Sequence, residues 1–395
     1  MSGVPRRTVG LVIPWYSDTM GGGAETACRL LAKEFQRAGA AVEVLATQVG
    51  GFRADWGVNH FPEGLSDEGG VAVRRFPVEK ANKRRFDPVN ARLMAGEDVS
   101  EKEERVFFRE MLPCPALTEY IAANRGRYHF LFLPYLFATT YFGSLACEGE
   151  AIHIPCLHDE AYARMRSVKE MFASARGAFF LSGPEQALAR RLYPGLRDLG
   201  APGLPMEGGW TGDARRFRAK YGYERFLLYV GRTDAGKGAE LLAGHFERYV
   251  AETKQDLHLL FMGVERAPGE AGADGRIRAM GFLSEQDKRD AFAAAEALCV
   301  PSLMESFSIV LMESWLTGRP AIVNEACAVT TEFCRQSRGG LWFADYADFR
   351  GVVDYLITHP KEAAAMGRAG GEFVRERFAP ERVARGYLEV LAGIE

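Results

Sequence analysis

Apolar positions along the chain fall into two alternating rhythms. Short runs with little alternation, such as TVGLVIPW (8–15), read as strands buried on both faces. AETACRLLAKEFQRAG (24–39) instead repeats its apolar residues at helical spacing until Gly39 stops it, and AVEVLAT (41–47) is the next strand. The chain thus opens as a βαβ unit, which predicts a parallel sheet flanked by helices. The rhythm breaks between residues 50 and 110, where a Gly-rich segment gives way to basic RRFPVEKANKRRF and acidic GEDVSEKEER. This stretch reads as a long insertion with partial helix, outside the core. The rhythm resumes at YHFLFLPY, AIHIPCLH and GAFFLS, each followed by a helical segment, and turn-rich YPGLRDLGAPGLPMEGGWTG (193–212) reads as a linker. A second run follows through FLLYVGR, LHLLFMG, RIRAMGFL, ALCVPS and PAIVNE, again with helices between. The pattern predicts an α/β fold of two doubly wound domains with a cleft between them, and shows no repeat of solenoid length.

Composition agrees with this division. A chain of 395 residues exceeds what one hydrophobic core organises. A formal net charge of −3 argues against a nucleic-acid partner, which would need an excess of Lys and Arg to neutralise phosphates. The first apolar segment is short and runs straight into a Gly-rich loop, unlike a signal peptide. FLFLPYLFATTYFG, from Phe130, is interrupted by Pro134 and is too short for a spanning helix. A soluble protein is expected. The seven cysteines form no CxxC pair and show no metal-ligand spacing with histidine, so reduced thiols in a cytoplasmic protein are expected.

In open α/β sheets ligands bind beyond the carboxyl ends of the strands, so candidate chemistry is sought there. After the first strand, SDTMGGGAET places Gly21, Gly22 and Gly23 before a helix. Such a loop lets backbone N–H groups approach phosphate, though a flexible strand-to-helix turn has the same composition. It is not the dinucleotide fingerprint: the glycines are consecutive, and the second strand ends in Ala46-Thr47 without a ribose-binding acid. In the second half, GRTDAGKG (231–238) matches the P-loop at Gly231, Gly236 and Lys237 but has Gly238 where the Mg²⁺-binding Ser or Thr belongs. A nucleoside triphosphatase is therefore rejected, and what survives is a pair of cations, Arg232 and Lys237, suited to a diphosphate.

LMESFSIVLMESWLTGRPAIVN (303–324) sets Glu305 in the loop after a strand and Glu313 in a helix predicted to start near Ser308 and reach Thr317, with Gly318 as its stop. N–H groups from Ser306 to Val310 would face an anion, while acids near a helix start also serve as caps. AIHIPCLHDEAY puts His158 at the functional end of a strand and His153 inside it, the latter as a structural residue.

Together the glycine loop, His158, Arg232 with Lys237, and the two-glutamate element resemble the retaining GT-B glycosyltransferases of family 4, also called glycosyl transferases group 1, over nearly the whole chain. The resemblance implies two Rossmann-like domains: 1–205 on the acceptor side, 206–376 binding the nucleotide sugar, and a helix at 377–395 returning to the first domain. It implies that Glu313 holds the ribose hydroxyls, Glu305 contacts the transferred sugar, and Arg232 and Lys237 neutralise the diphosphate. Gly231 belongs to the same loop. Backbone N–H groups of Ser306, Phe307, Ser308, Ile309 and Val310 would assist, Gly22 and Gly23 would close over the phosphates, and His158 would sit near the reacting carbon. The nucleobase would lie against Gly281, Phe282 and Leu283. Ser306 and Ser308 depart from the glycines usual in the family, which bears on the sugar pocket. No metal and no cofactor are implied beyond the nucleotide sugar as co-substrate, and the sequence carries no Asp-x-Asp element.

The expected reaction moves a hexose, with retention, from GDP-mannose or a UDP-sugar to a glycan, lipid-linked or small-molecule acceptor. No protein nucleophile is expected. A nucleotide-sugar epimerase, a phosphorylase-like enzyme of the same architecture and a non-catalytic nucleotide-sugar-binding subunit remain as alternatives. Arg74, Arg75, Lys80, Lys83, Arg84, Arg85 and Arg92, interleaved with Phe76 and Phe86, read either as a peripheral membrane contact at the inner face or as a solvated loop.

Overall fold

The computed structural model describes residues 3–18, 21–270 and 272–394. Contacts divide the chain into two compact units, one running to Pro205 and taking in the residues from Pro380 onward, the other Met206–Ala379.

The first unit contains β1 (Thr8–Val12), α1 (Gly23–Arg37), β2 (Val42–Thr47), β3 (Gly64–Glu68), β4 (Val71–Phe76), α2 (Lys83–Met94), α3 (Glu101–Met111) and α4 (Pro115–Ala123). It continues through β5 (Tyr128–Phe132), α5 (Ala138–Ala146), β6 (Ile152–His153), α6 (Ala161–Arg164), α7 (Arg166–Ala173), β7 (Gly177–Ala178) and α8 (Gly183–Leu192). Among the described residues the strands form one sheet in the order β3-β4-β2-β1-β5-β6-β7, parallel except for the β3–β4 pair. Without β3 this is the doubly wound order that reverses direction between β1 and β5. All five residues of β5 are buried, as a central strand covered by helices on both faces requires.

The expectation for residues 50–110 is corrected. β3 and β4 extend the sheet, and α2 and α3 place Val89, Leu93, Phe107, Phe108 and Met111 in the main core. Charge in VAVRRF masked the strand. Arg75 is buried, ion-paired with Glu68, and donates to the Tyr16 carbonyl at 2.8 Å and to Ser66 Oγ at 3.1 Å, so both terminal nitrogens of its guanidinium find partners inside. Nor is the whole of 193–212 a linker: Leu199 N–H donates to the Ala178 carbonyl and Phe180 N–H to the Gly200 carbonyl, both at 2.9 Å, so residues up to about 200 lie along the sheet edge.

The second unit contains α9 (Ala214–Tyr221), β8 (Phe226–Val230), α10 (Ala239–Thr253), β9 (His258–Met262), β10 (Ile277–Ala279), α11 (Glu285–Ala294) and β11 (Ala297–Val300). It ends with α12 (Ile309–Leu316), β12 (Ala321–Asn324), α13 (Ala328–Ser337), β13 (Gly340–Phe343), α14 (Tyr346–Thr358) and α15 (Pro360–Arg377). Its sheet is parallel throughout in the order β10-β9-β8-β11-β12-β13, which reverses between β8 and β11.

The last helix, α16 (Pro380–Gly393), belongs to the first unit. Buried Tyr387 packs its ring against Phe35 and Phe179, and its hydroxyl donates to the Gly203 carbonyl at 3.0 Å. Among the described residues no helix is long and apolar enough to cross a membrane.

Candidate functional site

In the second unit the loops following β8 and β11 lie at the reversal point of the sheet, where α/β folds bind ligands. After β8 the chain turns through Gly231, whose φ of +145° suits glycine. Arg232 follows, exposed, with Nε 3.0 Å from Asp234 Oδ2. A short turn, Ala235–Lys237, brings Lys237 Nζ to 2.8 Å from Glu305 Oε1 in the loop after β11. Leu303 N–H also donates to the Gly236 carbonyl at 3.1 Å, tying the two loops together. Gly238 stands at φ +66°, and a Cβ there would lie 2.3 Å from the Pro301 carbonyl oxygen. The residue that breaks the P-loop pattern is therefore the one this close approach of two loops demands.

Ser308 precedes α12 at φ +69° and makes no side-chain cap. Its hydroxyl is buried and without a hydrogen-bond partner among the described residues, as is Glu313 Oε2 on α12. N–H groups of the first turn of α12, from Ile309 and Val310, have no acceptor within the helix. The Phe307 side chain is not available to a ligand: its ring lies buried against Phe333 and Phe378, so this position offers backbone alone. Ser306 and Glu305 are half-buried.

Glu313 is the most constrained ionisable group here. Burial pushes its carboxyl above the usual carboxylate range; Lys288 and Arg289 oppose the shift, and Glu285 adds to it. Its Oε1 lies 2.8 Å from Lys288 Nζ, which in turn sits 5.2 Å from the Trp210 ring centre. Beyond β10, Gly281 adopts φ +63° and exchanges backbone hydrogen bonds with Gly263 and Val264. Phe282 is 69% exposed, an apolar face at the strand end, and Leu283 is half-buried. The sequence pattern brought out Arg232, Lys237, Glu305 and Glu313 but missed Lys288, which reads as part of a solvated EQDKRD face, and Trp210, hidden among glycines.

In the first unit Gly22 has φ +145° and Gly23 begins α1; Thr19 and Met20 of the glycine loop lie outside the described residues. A Cβ on Gly22 would fall 2.2 Å from Glu25 Oε2. Glu25 is itself buried and accepts from the Trp15 indole, so a carboxylate stands beside the loop. It too escaped the sequence reading, though GGAE displays it. His158 lies beyond the short β6, its Nδ1 3.8 Å from Glu160 Oε1, an oxygen that also accepts from the Tyr135 hydroxyl at 2.8 Å. The preceding Leu157 N–H donates to Glu185 Oε1 at 2.7 Å, and Leu181 N–H to the other oxygen at 2.6 Å. Burial pushes Glu185 up to about 8, against these backbone donors. His153 is buried with Nε2 3.0 Å from Ser144 Oγ, and burial pushes it down to about 3, which keeps it neutral in the core. Among the described residues no group of three or more His, Cys, Asp or Glu comes together as a metal site.

Residues 224–359 match the family described as Glycosyl transferases group 1. A D-inositol 3-phosphate glycosyltransferase of Frankia alni is 26% identical over 257 residues, 58% of this chain and 61% of that protein. Other curated relatives of that name match over 47% of their own length, so the chain spans about half to three-fifths of the relatives of that name. Among solved structures, the α,α-trehalose 6-phosphate synthase of Burkholderia multivorans superposes with TM-score 0.74 at 13% identity, covering 98% of this chain and 99% of that one. Anabaena HepE in complex with UDP-glucose gives TM-score 0.67 at 12% identity, covering 98% and 100%. The chain resembles the group 1 glycosyltransferases, and its fold is GT-B.

Proposed function

We propose that the protein is a retaining glycosyltransferase that moves a hexose from a nucleoside diphosphate sugar to a sugar, glycan or lipid-linked acceptor without a metal ion. The observation that carries this reading is Glu313, a buried acid with one oxygen lacking a donor among the described residues, on the helix that follows the loop of Glu305, which Lys237 reaches at 2.8 Å. Such an oxygen fits a ligand rich in hydroxyl donors, as a ribose is.

On this reading the ribose rests on Glu313 and the base lies along Gly281, Phe282 and Leu283. The diphosphate lies between Arg232 and Lys237 and the N–H groups of Ser308, Ile309 and Val310, with Gly231 letting the loop approach. As the bond from the anomeric carbon to phosphate breaks, negative charge grows on the departing oxygen, and these fixed donors stabilise it without rearrangement. The leaving phosphate takes the acceptor's proton on the face from which it departs, which gives retention without a protein nucleophile. Glu305, held by Lys237, accepts from hydroxyls of the transferred sugar. His158, in the first unit, keeps the role toward the reacting carbon that the resemblance implies. A carboxylate at Glu25 favours a hydroxyl over a phosphate beside Gly22 and Gly23, so that loop is assigned to sugar rather than diphosphate.

UDP-sugars and GDP-mannose are the donors to test, UDP first, since HepE was solved with UDP-glucose. Membrane contact through residues 74–92 gains no support from the ion pairs: Arg74, Arg75, Arg85 and Arg92 pair with Glu43, Glu68, Glu110 and Glu103. Seven free cysteines suit a cytoplasmic protein.

Calorimetric titration with UDP and with GDP, each with and without Mg²⁺, tests the donor site. Micromolar binding of one nucleotide, unchanged by metal and lost in Glu313→Ala, is expected; no binding of either overturns the reading. Incubation with donor alone separates an epimerase, which would convert it, and the anomeric configuration of the transfer product decides retention.

A further inference from the structure

Lys288 lies on α11, away from the loops that carry the candidate diphosphate site, and its ammonium is spent on two partners. Nζ is 2.8 Å from Glu313 Oε1 and 5.2 Å from the centre of the Trp210 indole, over which the Arg289 guanidinium also sits at 5.4 Å. Trp210 also makes an edge contact with Phe292, 5.3 Å between ring centres. The lysine is therefore held between an aromatic face and a buried acid, with its side chain 23% exposed.

We propose that Lys288 is a positioning residue for the donor ribose: it holds the Glu313 carboxylate charged and in one orientation, so that Oε2 stands ready to accept from a ribose hydroxyl. The inference rests on the donor-site reading above. A carboxyl buried alone would keep its proton, because burial penalises the charged form. The protonated group would then donate from one oxygen, and the ribose hydroxyls would meet a donor where they need an acceptor. Lys288 removes that mismatch by charging the acid and by occupying Oε1, which leaves one oxygen open and defines where the sugar binds. Its aromatic support limits the entropy lost on holding a long side chain still.

The charges facing Glu313 are few. From α11 come Lys288, Arg289 and Glu285, the first two favouring the charged acid and the third opposing it. Of β11 and β12, which pack against α12, only β11 carries a titratable group, Cys299, whose thiol burial pushes up and so keeps neutral. From α15, which packs on the far end of α12 through Trp315 and Phe373, Arg375 donates to the Leu316 carbonyl at 3.4 Å. Lys288 is thus the chief counter-charge, and its removal acts on the acid directly.

The test is calorimetric titration of the full chain with UDP and with inorganic pyrophosphate, for wild type, Lys288→Met and Lys288→Arg, at pH 7 and pH 9. Methionine keeps an unbranched chain against the indole, and melting temperature checks that each variant folds. UDP affinity of Lys288→Met is expected to fall 10- to 100-fold at pH 7, the range for losing a hydrogen bond made to a charged group. Any regain should appear at pH 9 rather than pH 7, because raising the pH favours the charged form of the carboxyl. Lys288→Arg should bind within about threefold of wild type, and pyrophosphate, having no ribose, should bind all three alike. Wild-type UDP affinity in Lys288→Met at both pH values, or an equal loss for UDP and pyrophosphate, overturns the proposal while leaving the donor site standing. Absence of UDP and GDP binding in the wild type overturns both.

Discussion

A buried acceptor with no donor costs on the order of 1–3 kcal/mol, and among the described residues Glu313 Oε2 and Ser308 Oγ, on α12 and at its N-cap, are two such atoms. Stability alone gives no reason to keep them. Replacing a buried ion pair by apolar chains of similar volume is often neutral or stabilising by about 1–4 kcal/mol. The double variant Glu313→Met, Lys288→Met is therefore expected to melt at or above the wild-type temperature while losing nucleotide binding. A lower melting temperature together with retained binding would show the pair to be structural. Lys237 makes a different demand, since its charge matters most as the diphosphate departs. Lys237→Ala should lower turnover about 10²-fold, roughly 3 kcal/mol of transition-state stabilisation, by analogy with losing one oxyanion donor. Steady-state rates at saturating donor check it, and near-normal turnover would remove Lys237 from its assigned role. Gly238→Ser restores the P-loop spelling, yet its side chain would meet the Pro301 carbonyl in a left-handed backbone. The expected result is a loss of about 1–3 kcal/mol of stability, read by denaturant titration, with no gain of triphosphatase activity.

At the level of elements, strands buried on both faces were legible and mixed ones were not. FLLYV and ALCV announce themselves by unbroken apolar runs. GLSDE and VAVRRF do not, because β3 is an antiparallel edge strand with polar residues on both faces and β4 buries an arginine beside its own counter-ion. Gly231, Lys237, Glu305 and Glu313 could be picked out as candidates because they follow recognisable strands, and the structure brings Lys237 and Glu305 within 2.8 Å of each other. Lys288 and Glu185 could not, since what matters is a tertiary neighbour, a carboxylate 25 residues away or a loop N–H 28 residues away. Glu185 and His153 also give the first unit an opposed pair of pH responses. Glu185, pushed up to about 8 from 4.5, holds a proton when folded that the unfolded chain releases between those values. Stability from this group therefore falls as pH rises through that window. His153, pushed down to about 3 from 6.5, resists a proton the unfolded chain takes up, so its contribution falls as pH drops below 6.5. The two oppose each other between 4.5 and 6.5, and from 6.5 to 8 only Glu185 acts. Unfolding free energy of the first unit should decline over that upper interval, and Glu185→Gln should flatten the decline. A wild-type profile that is flat from pH 6.5 to 8 would contradict the buried, protonated acid.

At the scale of the whole molecule, the two units differ in what surrounds their candidate residues and in how the chain completes them. The family match at residues 224–359 falls entirely within the second unit, where the candidate nucleotide residues lie. The first unit, assigned here to the acceptor, lies outside that match, which is why nothing in the sequence names the acceptor. Its fold is closed by residues distant in sequence: α16 buries Val383, Tyr387, Leu388 and Leu391 in the first unit, 184 residues from the Gly203 carbonyl that Tyr387 holds. Four buried apolar side chains at about 1.5–3 kcal/mol each amount to roughly 6–12 kcal/mol, the full stability of an ordinary domain. Truncation after Ala379 should therefore unfold the first unit and leave the second, which retains every strand of its sheet and all of Arg232, Lys237, Glu305, Lys288 and Glu313. The truncated chain is expected to bind UDP within about threefold of the full chain while losing glycosyl transfer, with limited proteolysis digesting residues before 206 and sparing those after. Loss of UDP binding together with loss of the first unit would instead mean that the nucleotide site depends on residues the second unit does not contain.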